Sequence, residues 1–283
     1  MHLKRVFKVE QRTIEQLWEH YKIEKELASR LKNASKEERK NLYSILYDEL
    51  YKRVPHHPQI TRKADLRANR KAVVVQMKLL SSILKPEFSF LELAPGACHL
   101  SFEVAKHVRK VYAIDVSEEI TKNPQHPKNF ELILSDGISV NVPPGSINVA
   151  YSHQLMEHIH PDDAIDQLRN IYDAMVLGGV YISITPHRFY GPNDISKYFD
   201  DIATGFHLKE YSNKELISLL KSVGFSKIQS CLRLKKVNWV GFPIGFQIMV
   251  EYLLNSLPYP VNRKMSRMLL FRVLLGICLI ATK

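Results

Sequence analysis

Residues Phe88 to Ser101 read FSFLELAPGACHLS, and no other stretch restricts the fold as tightly. A short apolar run climbs to a carboxylate at Glu92. A turn of small residues follows, Ala94, Pro95, Gly96, Ala97 and Cys98, and then Leu100, Val104 and Val108 recur at helical spacing. Strand, acidic residue, small-residue loop and helix is how an α/β fold opens a ligand pocket at a strand's C-terminal end. The loop must be small because the ligand lies against bare backbone.

From Phe88 onward, short apolar runs alternate with helical stretches. The runs predict strands at 88–93, 110–115, 130–134, 147–152, 179–185, 225–234 and 276–282, with helices at 98–108, 161–177 and 212–223 between them. Ser212, three residues before Glu215, spells a capping box, and Gly224 stands where that helix would end. The alternation predicts an α/β fold with a Rossmann-like, seven-stranded, mostly parallel sheet whose last strand is antiparallel. An N-terminal helical cap spans 1–84, the α/β core 85–235, a helical insertion 236–273 and the terminal strand 274–283. Within the cap, 10–53 and 62–84 read as helical, and Tyr43, Tyr47 and Tyr51 run up one helix face. Tyr47, Tyr51, His56 and His57 are candidates to line a lid, or else they pack within the cap.

Charge divides the chain in the same places. Residues 1–80 carry a formal +9, residues 81–230 carry −5 and residues 231–283 carry +7, within a total of +11. Basic ends suit nucleic acid, anionic lipid, an anionic substrate or a plain solvated surface, but no recognisable RNA-binding module is present. The segment 242–273 joins an apolar helix to Arg263, Lys264, Arg267 and Arg272. That pattern fits contact with an anionic membrane surface, burial against the cap, or a homodimer. The three cysteines are far apart in apolar surroundings, which argues against disulfides or zinc and fits a reducing cytoplasm. The N-terminus lacks an apolar signal region, and no apolar run is long enough to span a membrane.

Acidic residues end three successive strands: Glu92, Asp115 and Asp136. An ionised carboxylate only accepts hydrogen bonds, so Asp115 suits the two hydroxyls of a ribose, and Asp136 can meet an adenine amino group. A dinucleotide site would need a third glycine that this loop lacks. Further on, SHQLMEH (Ser152 to His158) follows the fourth strand, and Gly178-Gly179 turns into the fifth.

Taken in order, Glu92, Gly96, Asp115, Asp136, Met156-Glu157-His158 and Gly178-Gly179 resemble the class I S-adenosylmethionine-dependent methyltransferases. The spelling is similar to that of the broad group containing the ubiquinone-biosynthesis enzymes. The resemblance runs from about Phe88 to Phe225 and resumes at the terminal strand. It implies S-adenosyl-L-methionine as cofactor, held by Glu92, Ala94, Pro95, Gly96, Asp115, Val116, Asp136, Gly137, Ser152 and His153. Ala94 and Cys98 replace the first and third glycines of the family's loop; a positive φ at Ala94 would strain the turn, while Cys98 starts a helix and is small enough to pack closely. Some quinone O-methyltransferases carry a metal-holding E-x-x-E-H after the fourth strand; Gln154 replaces the first Glu here, so no metal is expected.

Methyl transfer needs an aligned acceptor, and a hydroxyl acceptor needs a base. His158 and His187 are the catalytic candidates, and Arg188, Tyr190 and His207 the substrate-binding ones. The expectation is a methyltransferase acting on a small molecule, with O-methylation favoured. RNA or protein methylation, or a methyltransferase fold kept only for binding, are the alternatives.

Overall fold

The computed structural model describes residues 12–122, 125–233 and 237–283. Two long helices, α1 (Ile14–Asn33) and α2 (Lys36–Arg53), come first among the described residues. Thr13 with Gln16 and Ser35 with Glu38 form reciprocal capping boxes, and the second divides the region that reads as continuous helix. The short α3 (Pro58–Lys63) and α4 (Leu66–Leu80) follow. They are separated where the Asp65 side chain accepts the Ala68 N–H at 2.9 Å.

The α/β part contains β1 (Ser89–Leu93), α5 (His99–Val104), β2 (Lys110–Asp115), α6 (Glu118–Thr121), β3 (Phe130–Leu134), β4 (Ile147–His153), α7 (Pro161–Ala174), β5 (Met175–Thr185), α8 (Asn213–Val223) and β6 (Lys227–Arg233). Beyond it come β7 (Asn238–Phe242), α9 (Ile244–Asn255), α10 (Tyr259–Ser266), α11 (Leu269–Leu274) and β8 (Ile277–Thr282). The eight strands form one sheet in the order β3-β2-β1-β4-β5-β8-β6-β7. Strands β1 to β5 pair in parallel, and β8 lies antiparallel between β5 and β6.

The sheet therefore has one strand more than the seven expected. Asn238–Phe242, assigned from sequence to the helical insertion, pairs antiparallel with β6 at the sheet edge. Trp239 and Val240 favour extended backbone, and pairing with β6 supplies the hydrogen bonds that such a short segment lacks alone. Strand β5 also begins earlier than expected, because Met175 already pairs with Ile147.

Central strands are buried on both faces, as parallel strands covered by helices must be. Side chains alternate between two cores: Leu91, Leu93 and Tyr181 face the cap, α7 and α8, while Phe90 and Ile182 face α4 and α5. The cap is pinned to the first face by a buried ion pair. Arg39 Nε and Nη2 donate to the two oxygens of Asp163 at 2.7 Å each, and the Tyr43 hydroxyl donates to the same carboxylate at 3.0 Å. Helix α8 has the expected capping box at Ser212 and ends at Gly224, whose φ is +121°. Among the described residues no helix is long and apolar enough to cross a membrane.

Candidate active site

The C-terminal ends of the parallel strands open into a cavity of about 900 Å³, including its open mouth. Strand topology sets the floor. Ala94 and Gly96 come from the turn after β1, Asp115 and Val116 from the end of β2, Gly137 and Ile138 from the turn after β3, and His153 to Leu155 from the end of β4. Helix α2 supplies the opposite wall with Tyr43, Tyr47 and Tyr51, one turn apart. Gly137 lets this wall close: a Cβ there would sit 2.9 Å from the Tyr43 ring.

Asp115 is buried at the centre. Its carboxylate accepts backbone N–H groups from Gly96 at 3.2 Å, Val116 at 2.8 Å and Ser117 at 3.1 Å. Burial outweighs these bonds and raises its pKa to about 6. Glu92 lies one strand over, bonded by the Ser101 hydroxyl at 2.5 Å, and burial raises it to about 8. Glu92 and Pro95 face an open groove on the outer side of the same loop, a groove that Ala94, Gly96 and His153 also border.

The loop keeps a glycine geometry without its glycines. Ala94 has φ +53° and Cys98 φ +59°, beside Gly96 at +55°. Left-handed backbone costs any residue with a Cβ, so both positions carry the strain that a positive φ implies. Gln154, after β4, is also left-handed at φ +59° and lines the cavity.

Two expected cofactor contacts sit differently from their neighbours. The Asp136 carboxylate is turned into its own loop, accepting from Ile138 N at 2.9 Å and Ser139 N at 2.6 Å. Burial works against ionisation there, but these bonds outweigh it and lower its pKa. Ser152 is wholly buried beneath the cavity, 2.8 Å from the Tyr181 hydroxyl.

The histidines separate into two groups. His158 lines the cavity, with Nδ1 2.9 Å from the Tyr47 hydroxyl and 3.1 Å from the Phe206 carbonyl. Burial, reinforced by nearby His207, lowers its pKa to about 3, so it is neutral at physiological pH. The His207 ring stands edge-on to it at 4.9 Å. Burial pulls His207 down, but the Glu210 hydrogen bond and the Glu157 and Asp194 charges outweigh burial and hold it up at about 9. His187, by contrast, is fully buried away from the cavity. It bonds Glu251 of α9 through Nε2 at 2.9 Å and accepts Phe189 N–H at Nδ1 at 3.1 Å. Both ring nitrogens are engaged, so its geometry is that of a clasp between the β5 loop and α9, not of a base facing the cavity. Arg188 and Tyr190 also point toward the insertion. Arg188 donates to Asn255 of α9 at 3.5 Å and pairs with Glu215 of α8 at 3.2 Å, and the Tyr190 hydroxyl donates to the Arg272 carbonyl.

Among the described residues, two groups have donors close enough to share a cation: His20, Glu24 and His57, and Glu157, His158 and His207. Both are already knit by hydrogen bonds, His20 to Glu24 at 2.7 Å and His207 to Glu210 at 2.8 Å. The tyrosine wall carries a sequence signal, its four-residue spacing, whereas Gln59 and Gln167, which also line the cavity, carry none.

A left-handed loop after β1, a buried carboxylate ending β2 and a parallel sheet closed by an antiparallel β8 define a class I methyltransferase domain. Residues 90–179 match the family model described as a methyltransferase domain. That match covers about a third of the chain, and the fold around it is the one shared by class I S-adenosylmethionine-dependent methyltransferases. Solved structures agree on the fold. An S-adenosylmethionine-dependent methyltransferase from Archaeoglobus fulgidus superposes with TM-score 0.51 at 16% identity, covering 76% of this chain and 94% of its own. Phosphoethanolamine N-methyltransferase 1 of Haemonchus contortus, bound to phosphoethanolamine and S-adenosylhomocysteine, gives 0.57 at 14% identity, covering 88% of this chain and 50% of its own. A Haloferax volcanii methyltransferase structure, in complex with the activator Trm112, gives 0.52 at 11% identity, covering 74% and 88%. No curated protein sequence matches the chain.

The donor set suits an adenosyl group. Backbone amides take three of the roughly four acceptor sites on the Asp115 carboxylate, two on Oδ1 and one on Oδ2, which leaves a site on Oδ2 for a ribose hydroxyl.

Proposed function

We propose that the protein transfers a methyl group from S-adenosylmethionine to a hydroxyl of a small-molecule acceptor. The observation that carries this reading is His158: a neutral imidazole on the cavity wall, held by the Tyr47 hydroxyl at 2.9 Å. The cofactor supplies an electrophilic methyl on a sulfonium sulfur. Asp115 would hold its ribose hydroxyls, and the backbone at Ala94 and Gly96 would border its amino-acid end. Tyr43, Tyr47 and Tyr51 cover the opposite side and restrict the entry of water. As the methyl–oxygen bond forms and the methyl–sulfur bond breaks, leaving S-adenosylhomocysteine, His158 would take the acceptor's proton at Nε2, because Nδ1–H is given to the Phe206 carbonyl. Tyr47 fixes the ring; burial and the nearby His207 keep His158 neutral and also make it a weak base, so it serves an acceptor proton that becomes strongly acidic only as the methyl is transferred. The enclosed tyrosine wall favours a small acceptor over RNA or a protein segment.

The test is a radiolabelled methyl-transfer assay over a panel of hydroxyl, carboxyl and amine acceptors, with calorimetry of S-adenosylhomocysteine binding. His158→Ala should lose transfer by about 10²-fold or more while keeping S-adenosylhomocysteine affinity within a few-fold. Wild-type turnover in His158→Ala, or transfer confined to amines, refutes the reading.

A further inference from the structure

The segment after β6 is built inside out. Helix α9 buries Gln247, Val250, Glu251 and Leu254 and turns Phe246, Met249, Tyr252 and Leu253 to solvent. Its polar residues are the ones that hold it down. Gln247 donates to the Leu274 carbonyl at 2.7 Å, and Glu251 takes His187 at 2.9 Å and the Asn213 backbone at 2.7 Å. Among the described residues the apolar stripe at i, i+3 and i+7 therefore stays about half open to solvent. It does not stand alone. Edge strand β7 exposes Trp239 and Val240, and Trp239, Phe242 and Phe246 form a continuous run of ring contacts at 5.2 and 5.9 Å. Helix α11, which contacts β6 beside that edge strand, exposes Leu269 and Leu270 at 75% and 63%. More than half of the exposed large hydrophobic side chains among the described residues fall within 237–270. A clustering of this kind marks an interaction surface.

Charge selects the occupant. From 237 to the C-terminus the sole acidic residue is Glu251, buried and bonded, while Arg263, Lys264, Arg267, Arg272 and Lys283 are all basic. Arg263 meets Asp201 of the core, but Lys264 and Arg272 are exposed. Arg272 stands one turn from Leu269 on α11. A second copy docking about a two-fold axis would bring these cations against themselves. An anionic bilayer surface complements both halves of the pattern: the acyl boundary takes the aromatic and aliphatic side chains, and the headgroups take the cations. We infer that the β7–α11 segment is a peripheral membrane-binding surface specific for anionic lipid, seated in the interface rather than spanning it. This goes beyond the proposed reaction and holds whatever the acceptor is.

The test uses the full chain in a Trp18→Phe background, which leaves Trp239 as the sole tryptophan. Vesicles of phosphatidylcholine with phosphatidylglycerol should shift Trp239 emission to the blue and carry the protein in flotation, and pure phosphatidylcholine should do neither. Lys264→Glu with Arg272→Glu should weaken partitioning by about tenfold or more, and high salt should do the same. Phe246→Ser with Leu253→Ser should abolish flotation. All four positions are exposed or nearly so; thermal melting and S-adenosylhomocysteine binding verify that each variant is folded and keep this test separate from the reaction itself. The proposal is overturned if folded protein fails to bind anionic vesicles at low salt, or if the serine pair floats like the parent. It is equally overturned if Phe246→Ser with Leu253→Ser breaks a dimer that forms without lipid.

Discussion

Replacing Ala94 and Cys98 with glycine should have opposite effects, although the two residues share a backbone conformation. Both are left-handed, at φ +53° and +59°. A Cβ in that region costs about 1–2 kcal/mol, which glycine recovers. Against this, glycine adds unfolded-chain entropy worth about 0.4–1 kcal/mol. At Ala94 the methyl is only partly buried, so its loss subtracts roughly 0.4 kcal/mol more, half of a buried methylene. The net gain for Ala94→Gly is about 0.5 kcal/mol, or about 1–2 °C in Tm. At Cys98 the side chain is 1% exposed within the second core. Deleting it forfeits about 1.5–2 kcal/mol of burial, so Cys98→Gly should be destabilised by about 1 kcal/mol. Gly96 calibrates the scale: its φ is +55° and a Cβ there would meet nothing within 4 Å. Gly96→Ala should then lose only the conformational difference, about 0.5–1 kcal/mol. Urea unfolding and calorimetric melting of all three variants provide the measurement. If Gly96→Ala is costly and Ala94→Gly nevertheless loses stability, strain at Ala94 is refuted. If Ala94→Gly and Cys98→Gly shift together, burial is not what separates them.

Asp115 sets a pH dependence on cofactor binding. Its carboxylate has a pKa of about 6, raised by burial, and a ribose hydroxyl needs it ionised, so affinity for S-adenosylhomocysteine should be flat above about pH 7 and fall about tenfold between pH 7 and pH 5. Calorimetry across pH should show that slope in the wild type and none in Asp115→Asn. The unliganded fold should respond in the other direction: a raised carboxyl pKa means that the folded state binds more protons below pH 6, so Asp115 adds stability as pH falls toward 4. The buried pair between Arg39 and Asp163 should matter most for the cap. Arg39→Ala leaves Asp163 buried without its cation and should cost about 3–5 kcal/mol in urea unfolding, whereas exposed Lys40→Ala should cost less than about 0.5 kcal/mol.

What the sequence reveals of this fold follows from where its information is local. Strands β2, β3 and β4 can be bounded to within a residue because each is a short apolar run between turns, and the capping box at Ser212 names its own helix start. Chain order then brings the strand ends together, because parallel strands joined by helices place every C-terminal end on one edge of the sheet. Asp115 and His153 meet in the cavity for that reason. Contacts set by packing between distant segments leave no such trace. Arg39 and Asp163 are 124 residues apart, and nothing in either neighbourhood names the other. His187 reads as a loop histidine after β5, yet its position depends on Glu251, which arrives from a helix 64 residues later. Asn238–Phe242 becomes a strand because β6 offers a free edge, a property of the assembled sheet. The loop after β1 lies between these cases. Its spelling departs from glycine at two positions, but its shape does not, because Ala94 N–H bonds Ile114 at 2.8 Å and Cys98 N–H bonds Pro95 at 3.1 Å. The neighbouring strand at Ala94 and a local turn at Cys98 thus hold the left-handed conformations that glycine would adopt without cost. The geometry that a cofactor meets is accordingly kept by the sheet, and its cost falls on stability rather than on the shape of the site.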